Sequence, residues 1–582
     1  MSMTNVIPDC LDDLLIQRSV TTVWKGDWNT VPWSKSFKVV RNLRQRIFRA
    51  TKTGDLKKVK QLQKLMLRST SNILTSVRRV TQVNQGKNTP GVDKVLVKTP
   101  AERSKLVNEL VSYTPWRARP VKRVYIPKRN GKMRPLGIPT IKDRCMQAIV
   151  KNALEPFWEA KFEGISYGFR PGRSCHDAIA RIFNLARSGG KKRWILDADI
   201  KGAYDNIDHD FLIKRIGKYQ FPAMELIKQW LKAGVMEEGR YQDTVSGMPQ
   251  GGVISPLLAN IALHGMERVL GVKHKKRGDT IGPRAVIRYA DDFVVFCETE
   301  KDARKSQWKL EKMLAKRGLE LSSEKTRIVH ITKGFDFLGF NIRQYETPKS
   351  SRSGYKLLIT PSKESQKQIR KRLKEEWTKL VGAPAGAVIK RLNPVIRGWG
   401  NYFRIGVSKR VFTKLDDYQF KRQVRYANYR HPKKPWYWKK EKYWGRVEGR
   451  NANWVFQDKE KGKHMTKFSW IPIQRHVMVK KDASPDDPTL REYWQARTRK
   501  SRKLLQSKGM RYRLFTQQKG TCPICGQPLE NLDETGQEEL HVHHVQARKN
   551  GGTNQLSNLR LVHLYCHQQV HNGKNKASGE AR

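Results

Sequence analysis

Apolar and polar positions along the chain alternate between two periods. From Asp55, which can cap a helix, Leu56, Val59, Leu62, Met66, Ile73, Val77 and Val80 recur at helical spacing with lysine and arginine between them; an amphipathic helical region is expected. Residues 1 to about 35 show no period and read as an arm. The run 121–127 predicts a strand, followed by Lys128-Arg129-Asn130-Gly131-Lys132-Met133-Arg134, a basic hairpin with Asn-Gly at its turn. Two runs are strongly apolar. Trp194-Ile195-Leu196 leads into Asp197-Ala198-Asp199, and apolar residues on both sides flank Tyr289-Ala290-Asp291-Asp292. The first predicts a strand delivering Asp199, the second a strand, a tight turn and a returning strand with carboxylates at the tip. After Phe340 the period changes to that of a helix, with Ile369, Leu373, Trp377 and Leu380 on one face from Pro361-Ser362 to a stop at Gly382.

Charge changes this picture most. Among 582 residues, 116 Lys and Arg against 53 Asp and Glu give a net charge of +63. Such an excess repels itself unless a polyanion neutralises it, so nucleic acid is the expected partner. The length suits about three or four domains. Cys10, Cys145, Cys175 and Cys297 are scattered singly and Cys522, Cys525 and Cys566 cluster late, which is not a disulfide framework and points to a reducing compartment. The opening residues lack a basic start and an apolar core, and no long apolar run follows, so no export or membrane segment is expected.

In so basic a protein an acidic turn suggests a divalent cation. Asp-Asp in a hairpin is usually only solvated turn chemistry; the second acid-tipped strand, at Asp199, changes the reading. Paired aspartates holding two Mg2+ ions about 3.5–4 Å apart suit an in-line displacement in which a 3′-hydroxyl attacks a triphosphate.

Tyr289-Ala290-Asp291-Asp292, Asp199 with Tyr204 after it, and Gly247-Met248-Pro249-Gln250-Gly251-Gly252 resemble the palm motifs of a reverse transcriptase. Asn84 to Asp93, Ile138 to Arg144, Tyr167 to Ser174, Leu321 to Thr326 and Phe335 to Phe340 resemble the group II intron-encoded branch. Leu392-Asn393-Pro394-Val395-Ile396-Arg397-Gly398-Trp399-Gly400-Asn401-Tyr402-Phe403 is similar to that branch's thumb, or maturase, signature, which retron and retroviral enzymes lack. The resemblance implies that Asp199 and Asp291 ligate two Mg2+ ions with Asp292 completing the catalytic cluster, while Asp197 and Asp205 are structural. It implies that Lys128 and Arg134 bind the incoming triphosphate and that Tyr204 excludes a ribose 2′-hydroxyl. Gln250 would line the nascent base pair and Lys325 would donate a proton to pyrophosphate. The simpler readings are a solvent-facing hairpin, a core tyrosine and a solvated lysine.

From about 418 to 505 cations and aromatics interleave, as in Arg425 to Lys440, offering backbone charge contacts and stacking surfaces. Family order suggests target-DNA binding, with Trp436 and Trp438 equally readable as core. Asp482 to Pro488 reads as a loop, with a basic helix leading on toward Leu514.

Cys522-Pro523-Ile524-Cys525 and His563-Leu564-Tyr565-Cys566 form two ligand pairs with the spacing of a four-coordinate structural zinc. His543-His544, Asn558, His567 and His571 complete a likeness to an HNH endonuclease of ββα-metal fold. His567 and His571 lie four apart on one helical face. By that resemblance His543, His567 and His571 hold a divalent ion, Mg2+ by analogy; His544 is the general base and Asn558 orients it. The bland reading is a zinc ribbon that only grips DNA.

The expected fold is multidomain α+β. Its parts are an arm (1–35), an N-terminal fingers extension with intron-RNA contacts (36–110), reverse transcriptase fingers and palm (111–345), and an α-helical thumb or maturase domain (346–417). A basic aromatic DNA-binding region (418–505) and the HNH domain with its structural zinc (506–582) follow. Expected partners are the protein's own intron RNA, double-stranded target DNA and dNTPs, in one copy or as a homodimer, within a ribonucleoprotein of the bacterial cytoplasm. The expected function is maturase-assisted splicing, nicking of one DNA strand and target-primed reverse transcription of the intron. The alternative is a splicing-only maturase acting as an RNA-binding chaperone.

Overall fold

The computed structural model describes residues 24, 26–112, 117–127, 131, 133–187, 190–275, 280–348, 354–497, 510–526, 529 and 540–577. The described end of the expected arm is packed: Trp28, Val31 and Trp33 are buried, and Trp33 opens the helix Trp33–Lys52. The amphipathic run from Asp55 is two helices, Leu56–Arg68 and Thr70–Arg78. Asp55 caps the first through the Lys58 amide, and Ser69 turns the chain and caps the second through the Asn72 amide. Their apolar stripes pack on one long helix, Ile141–Glu159, which is buried along most of its length.

The central sheet orders its strands as Arg327–His330, Trp194–Ala198, Asp292–Cys297 and Arg284–Tyr289, all antiparallel. Ala198 pairs with Phe293, so the next residue of one strand, Asp199, comes level with the first of the other, Asp292. Because side chains alternate across a strand, Ile195 and Phe296 enter one core while Leu196 and Val295 enter another. A second sheet carries the strand Val121–Pro127 against Met133–Ile138 and, in parallel, Val235–Glu237. The tip of that basic hairpin, with Lys128, lies outside the described residues.

Beyond the central sheet, helices Lys363–Lys379, Ala385–Phe403 and Lys409–Arg430 share a core with the strands Trp444–Gly445 and Val455–Asp458. Trp377, Tyr426, Trp444 and Phe456 sit in that core, and the helix Lys409–Arg430 runs straight across the boundary expected at 417/418. The first half of the basic aromatic region therefore packs with the three helices before it.

The stretch expected as a loop, Asp482 to Pro488, is clamped. Asp486 is buried and accepts two hydrogen bonds of 2.8 Å from Arg44, which also meets Glu155 at 3.0 Å. Nearby, Asp177 accepts from the Val479 amide at 2.8 Å and lies 2.9 Å from His476 Nε2. Among the described residues no helix is long and apolar enough to cross a membrane.

A buried guanidinium that loses its carboxylate is left undercompensated. Asp486→Ala is expected to destabilise the protein by about 3–5 kcal/mol, read as a lowered urea midpoint. An unchanged midpoint would show that the 482–488 clamp does not hold the fold.

Candidate active sites and metal centre

The hairpin joins Arg284–Tyr289 to Asp292–Cys297 through Ala290 and Asp291, with Ala290 at φ 59°. Room for this turn comes from Gly168, where a Cβ would collide with the Ala290 backbone. Tyr204 stands nearby on the short helix Ala203–Asn206, whose Tyr204 carbonyl accepts the Met248 amide at 2.6 Å. That bond brings the glycine-rich turn alongside, and a Cβ on Gly247 would strike the Asp205 carbonyl. Gln250 is half-buried in this turn, its carbonyl accepting the Gly137 amide of the fingers at 3.1 Å.

Asp199, Asp291 and Asp292 are thus brought together. Burial, reinforced by Asp291 and Asp199, pushes the Asp292 carboxyl up to about 7. Burial also raises Asp291, against the opposing pull of Arg134 and Lys325. Lys325 donates to Asp199 in a short ion pair, and that bond raises the lysine. A cavity of about 350 Å³ opens here, lined by Asp197, Asp199, Asp292, Lys325, Arg327 and Asp336 among others. Carboxylates crowded until one retains its proton near neutrality are a donor set suited to divalent cations, which would replace the lysine and the proton. Asp197 faces the same cavity, 3.0 Å from Arg327 Nε, with its carboxyl raised to about 6 by burial. Burial, then Asp291, raises the Tyr204 hydroxyl, and Arg134 lies within electrostatic reach of both.

At the other end of the chain, the strands Leu540–His544 and Leu559–His563 form an antiparallel pair followed by the helix Leu564–Ala577. The ligand atoms of Cys522, Cys525, His563 and Cys566 lie within 4.8 Å of one another. His563 Nδ1 is 3.3 Å from Cys525 Sγ and 3.8 Å from Cys566 Sγ. Bond lengths of about 2.0–2.3 Å around a tetrahedral zinc imply ligand separations of roughly 3.5–3.8 Å, so the four residues fit that ion and could hold it. A hydrogen bond from Cys566 drops the Cys522 thiol to about 3, so one proton serves two sulfurs.

A second group, His543, His567 and His571, also has ligand atoms within 4.8 Å of one another. His567 Nε2 and His571 Nε2 are 3.3 Å apart, and burial followed by the surrounding histidines lowers His567 to about 4. Neutral imidazoles are the ligating form.

Family models match the chain in four segments: "N-terminal domain of reverse transcriptase" over 28–110, "Reverse transcriptase (RNA-dependent DNA polymerase)" over 126–342, "Group II intron, maturase-specific domain" over 366–444 and "HNH endonuclease" over 522–573. The chain belongs to the group II intron-encoded reverse transcriptase and maturase family, in the form that ends in an HNH endonuclease domain. It is a reverse transcriptase and an HNH endonuclease by these domains. Protein YkfC of Escherichia coli (strain K12) is 37% identical over 311 residues, 46% of this chain and 80% of YkfC. Group II intron-encoded protein LtrA of Lactococcus lactis subsp. cremoris is 34% identical over 334 residues, 47% of this chain but only 55% of LtrA. Among solved structures, telomerase from Candida albicans gives a TM-score of 0.30 at 13% identity, covering 54% of this chain and 59% of that one.

Three functional side chains of this family member escaped sequence reasoning. Arg288, wholly buried behind the acidic turn, donates to the Ala290 carbonyl and to Asn260 Oδ1, each at 3.0 Å. Asn260 in turn donates to the Gly168 carbonyl at 2.9 Å, tying three separate motifs to the turn. A charge inside an apolar strand was the available signal. In the nuclease, Asn558 does not orient His544: its side chain bonds Gln546 and Thr553 backbone atoms and so pins the intervening loop. The partner of His544 Nε2 is Asn554 Oδ1 at 3.0 Å, which makes Nε2 the protonated nitrogen and Nδ1 the free base.

The third is Arg78. Its guanidinium is buried among the rings of Trp33, Phe37 and Tyr565, at 5.4, 5.5 and 5.4 Å. Tyr565 lies between two zinc-type ligands and stacks on one of them, His563, at 4.7 Å. Gln569 also donates to the Val31 carbonyl at 3.1 Å. The nuclease is therefore docked on the N-terminal helices through its own metal knuckle. Cys566→Ser is expected to lower zinc content and to speed amide exchange at Trp28 and Trp33. Equal exchange in a zinc-depleted variant would show that the docking does not depend on the knuckle.

Proposed function

We propose that the chain is a multifunctional intron-mobility enzyme: it binds its own intron RNA as a maturase, nicks one strand of target DNA, and extends the freed 3′-hydroxyl to copy the intron into cDNA. One observation carries this reading, the convergence of Asp199 and Asp292 on one cavity with Lys325, while Asp291 beside them adds its repulsion and Arg134 opposes it. A splicing chaperone has no use for three carboxylates held in mutual repulsion.

Asp199 and Asp291 would hold Mg2+, with Asp292 beside them. When bound, two such ions supply the charge that favours the 3′-alkoxide and neutralises departing pyrophosphate. The protein's own residues do the rest. Arg134, with Lys128 on the same hairpin, would grip the triphosphate, the guanidinium in bidentate fashion. Tyr204, half-buried near the turn, would exclude a 2′-hydroxyl. Lys325, which pairs with Asp199, would protonate the leaving group. Gln250 would bear on the nascent pair from a turn that is hydrogen-bonded to the fingers.

In the nuclease, His543, His567 and His571 would hold one divalent ion, which stabilises the departing 3′-oxygen. His544 Nδ1 would accept the proton of the attacking water, with Asn554 fixing the tautomer. One such site cuts one strand. The thumb would hold intron RNA, the basic region target DNA, and the assembly would work as a ribonucleoprotein in bacterial cytoplasm.

The test is Mg2+-dependent primer extension on an RNA template, with nicking of target DNA assayed in parallel. Asp291→Ala should lower extension by about a hundred- to a thousand-fold and leave nicking intact. His544→Ala should lower nicking by about 10²–10⁴-fold and leave extension intact. Wild-type protein that binds intron RNA and promotes splicing but extends no primer would replace this reading with the splicing-only one.

A further inference from the structure

A cavity of about 590 Å³ lies in the thumb, away from both candidate active sites. It opens between the start of the helix Ala385–Phe403, the helix Trp436–Tyr443 and the turn after the strand Val455–Asp458. Pockets of roughly 300–1,000 Å³ take ligands of nucleotide size. Trp438, Arg430, Lys442, Lys461 and Asp458 line it, and Glu441 and Glu460 add two further carboxylates to its wall.

These groups differ in what they can recognise. The Trp438 ring is half-buried and held edge-on to His431 at 4.7 Å, which fixes its plane. Lys434 and Lys442 stand over it at 5.5 and 5.1 Å. Arg430 is anchored by donating to the Gly382 carbonyl. Asp458 is fixed on one side only, its Oδ1 accepting the Lys461 amide at 3.2 Å, and it faces Gly386, where a Cβ would collide with its Oδ2. A rigid indole, cations around it and a carboxylate at the base offer a stacking face, phosphate contacts and a hydrogen-bond acceptor within one cavity.

Paired bases in a duplex present no face to an indole; an unpaired base does, and an acceptor carboxylate favours one with an amino edge. We infer that this cavity receives a single unpaired nucleotide of the target DNA, its base stacked on Trp438, its amino edge toward Asp458 and its phosphate among Arg430, Lys442 and Lys461. This rests on the reading above that the basic region holds target DNA. It also places Trp438 at the ligand, while Trp444 on the other side of the same helix end fills the core.

The experiment compares full-length wild type, Trp438→Leu and Trp438→Phe by equilibrium binding at one salt concentration. The probes are a DNA duplex, the same duplex with one bulged guanine or one bulged thymine, and the bulged guanine duplex in RNA. Primer extension on a generic template serves as the folding control. Expected are tighter binding of bulged guanine DNA than of paired DNA, about a tenfold loss of that binding in Trp438→Leu, recovery in Trp438→Phe, and little change on paired DNA. Asp458→Asn should narrow the preference for guanine over thymine. Equal losses on paired and bulged DNA, or no loss, would overturn the pocket while leaving DNA binding standing. A bulge preference confined to RNA would overturn it as a target-DNA site. Wild type that binds no DNA probe would overturn both it and the reading on which it rests.

Discussion

Three carboxylates are forced together by strand register, and the rest of the palm is arranged around their repulsion. Ala198 opposite Phe293 sets Asp199 beside Asp292, and a two-residue turn adds Asp291. Asp292 is held in a ladder buried on both faces, Asp199 directly follows the end of its neighbouring strand, and Asp291 sits in the turn that closes the hairpin. What balances them comes from other elements: Lys325 directly on Asp199, and Arg134 from the fingers. Arg288 acts from behind, donating its hydrogen bonds to the turn's backbone and to Asn260 while its charge also bears on Asp291.

Holding the turn from behind also explains the motifs around the site. Tyr167-Gly168 touches no acid, yet Gly168 leaves room for the turn, and its carbonyl receives the Asn260 amide that Arg288 also holds. Gly247 works likewise against Asp205. These glycines are needed for backbone approach, which side-chain chemistry alone would not suggest.

The chemistry-bearing elements were legible in the sequence because their signals are local. Apolar runs on both sides of Asp291, the apolar strand before Asp199 and the paired spacing of Cys522 with Cys525 and of His563 with Cys566 each fit within a few residues. What escaped depends on distant partners. Asp482 to Pro488 is the loop its polar, proline-containing sequence predicts, but nothing near Asp486 indicates that Arg44, far away in the chain, will clamp it. Arg78 looks like one more cation on a basic helix until three rings from both ends of the chain close over it. The error over Asn558 has another source: His544 has two asparagines downstream, and spacing could not say that Asn554 meets the ring while Asn558 pins the loop.

The position of the nuclease constrains how the two chemistries can follow one another. Helix Ile141–Glu159 gives Ile141, Cys145, Ala148 and Ile149 to the core that contains the Cys522 and Cys566 cluster, and Val150, Ala153, Leu154 and Phe157 to the core beneath the acidic strands. Trp28, Trp33 and Arg78 continue the first core to Tyr565. Close-packed interiors yield little. The nuclease domain therefore packs against the same helix that supports the acidic strands. On the proposed reaction order, a 3′-end made at His544 has to reach Asp199 and Asp291 by movement of the DNA. A groove that takes hold of an unpaired base between the two events would suit that transfer, since it retains the strand while its end is free to move.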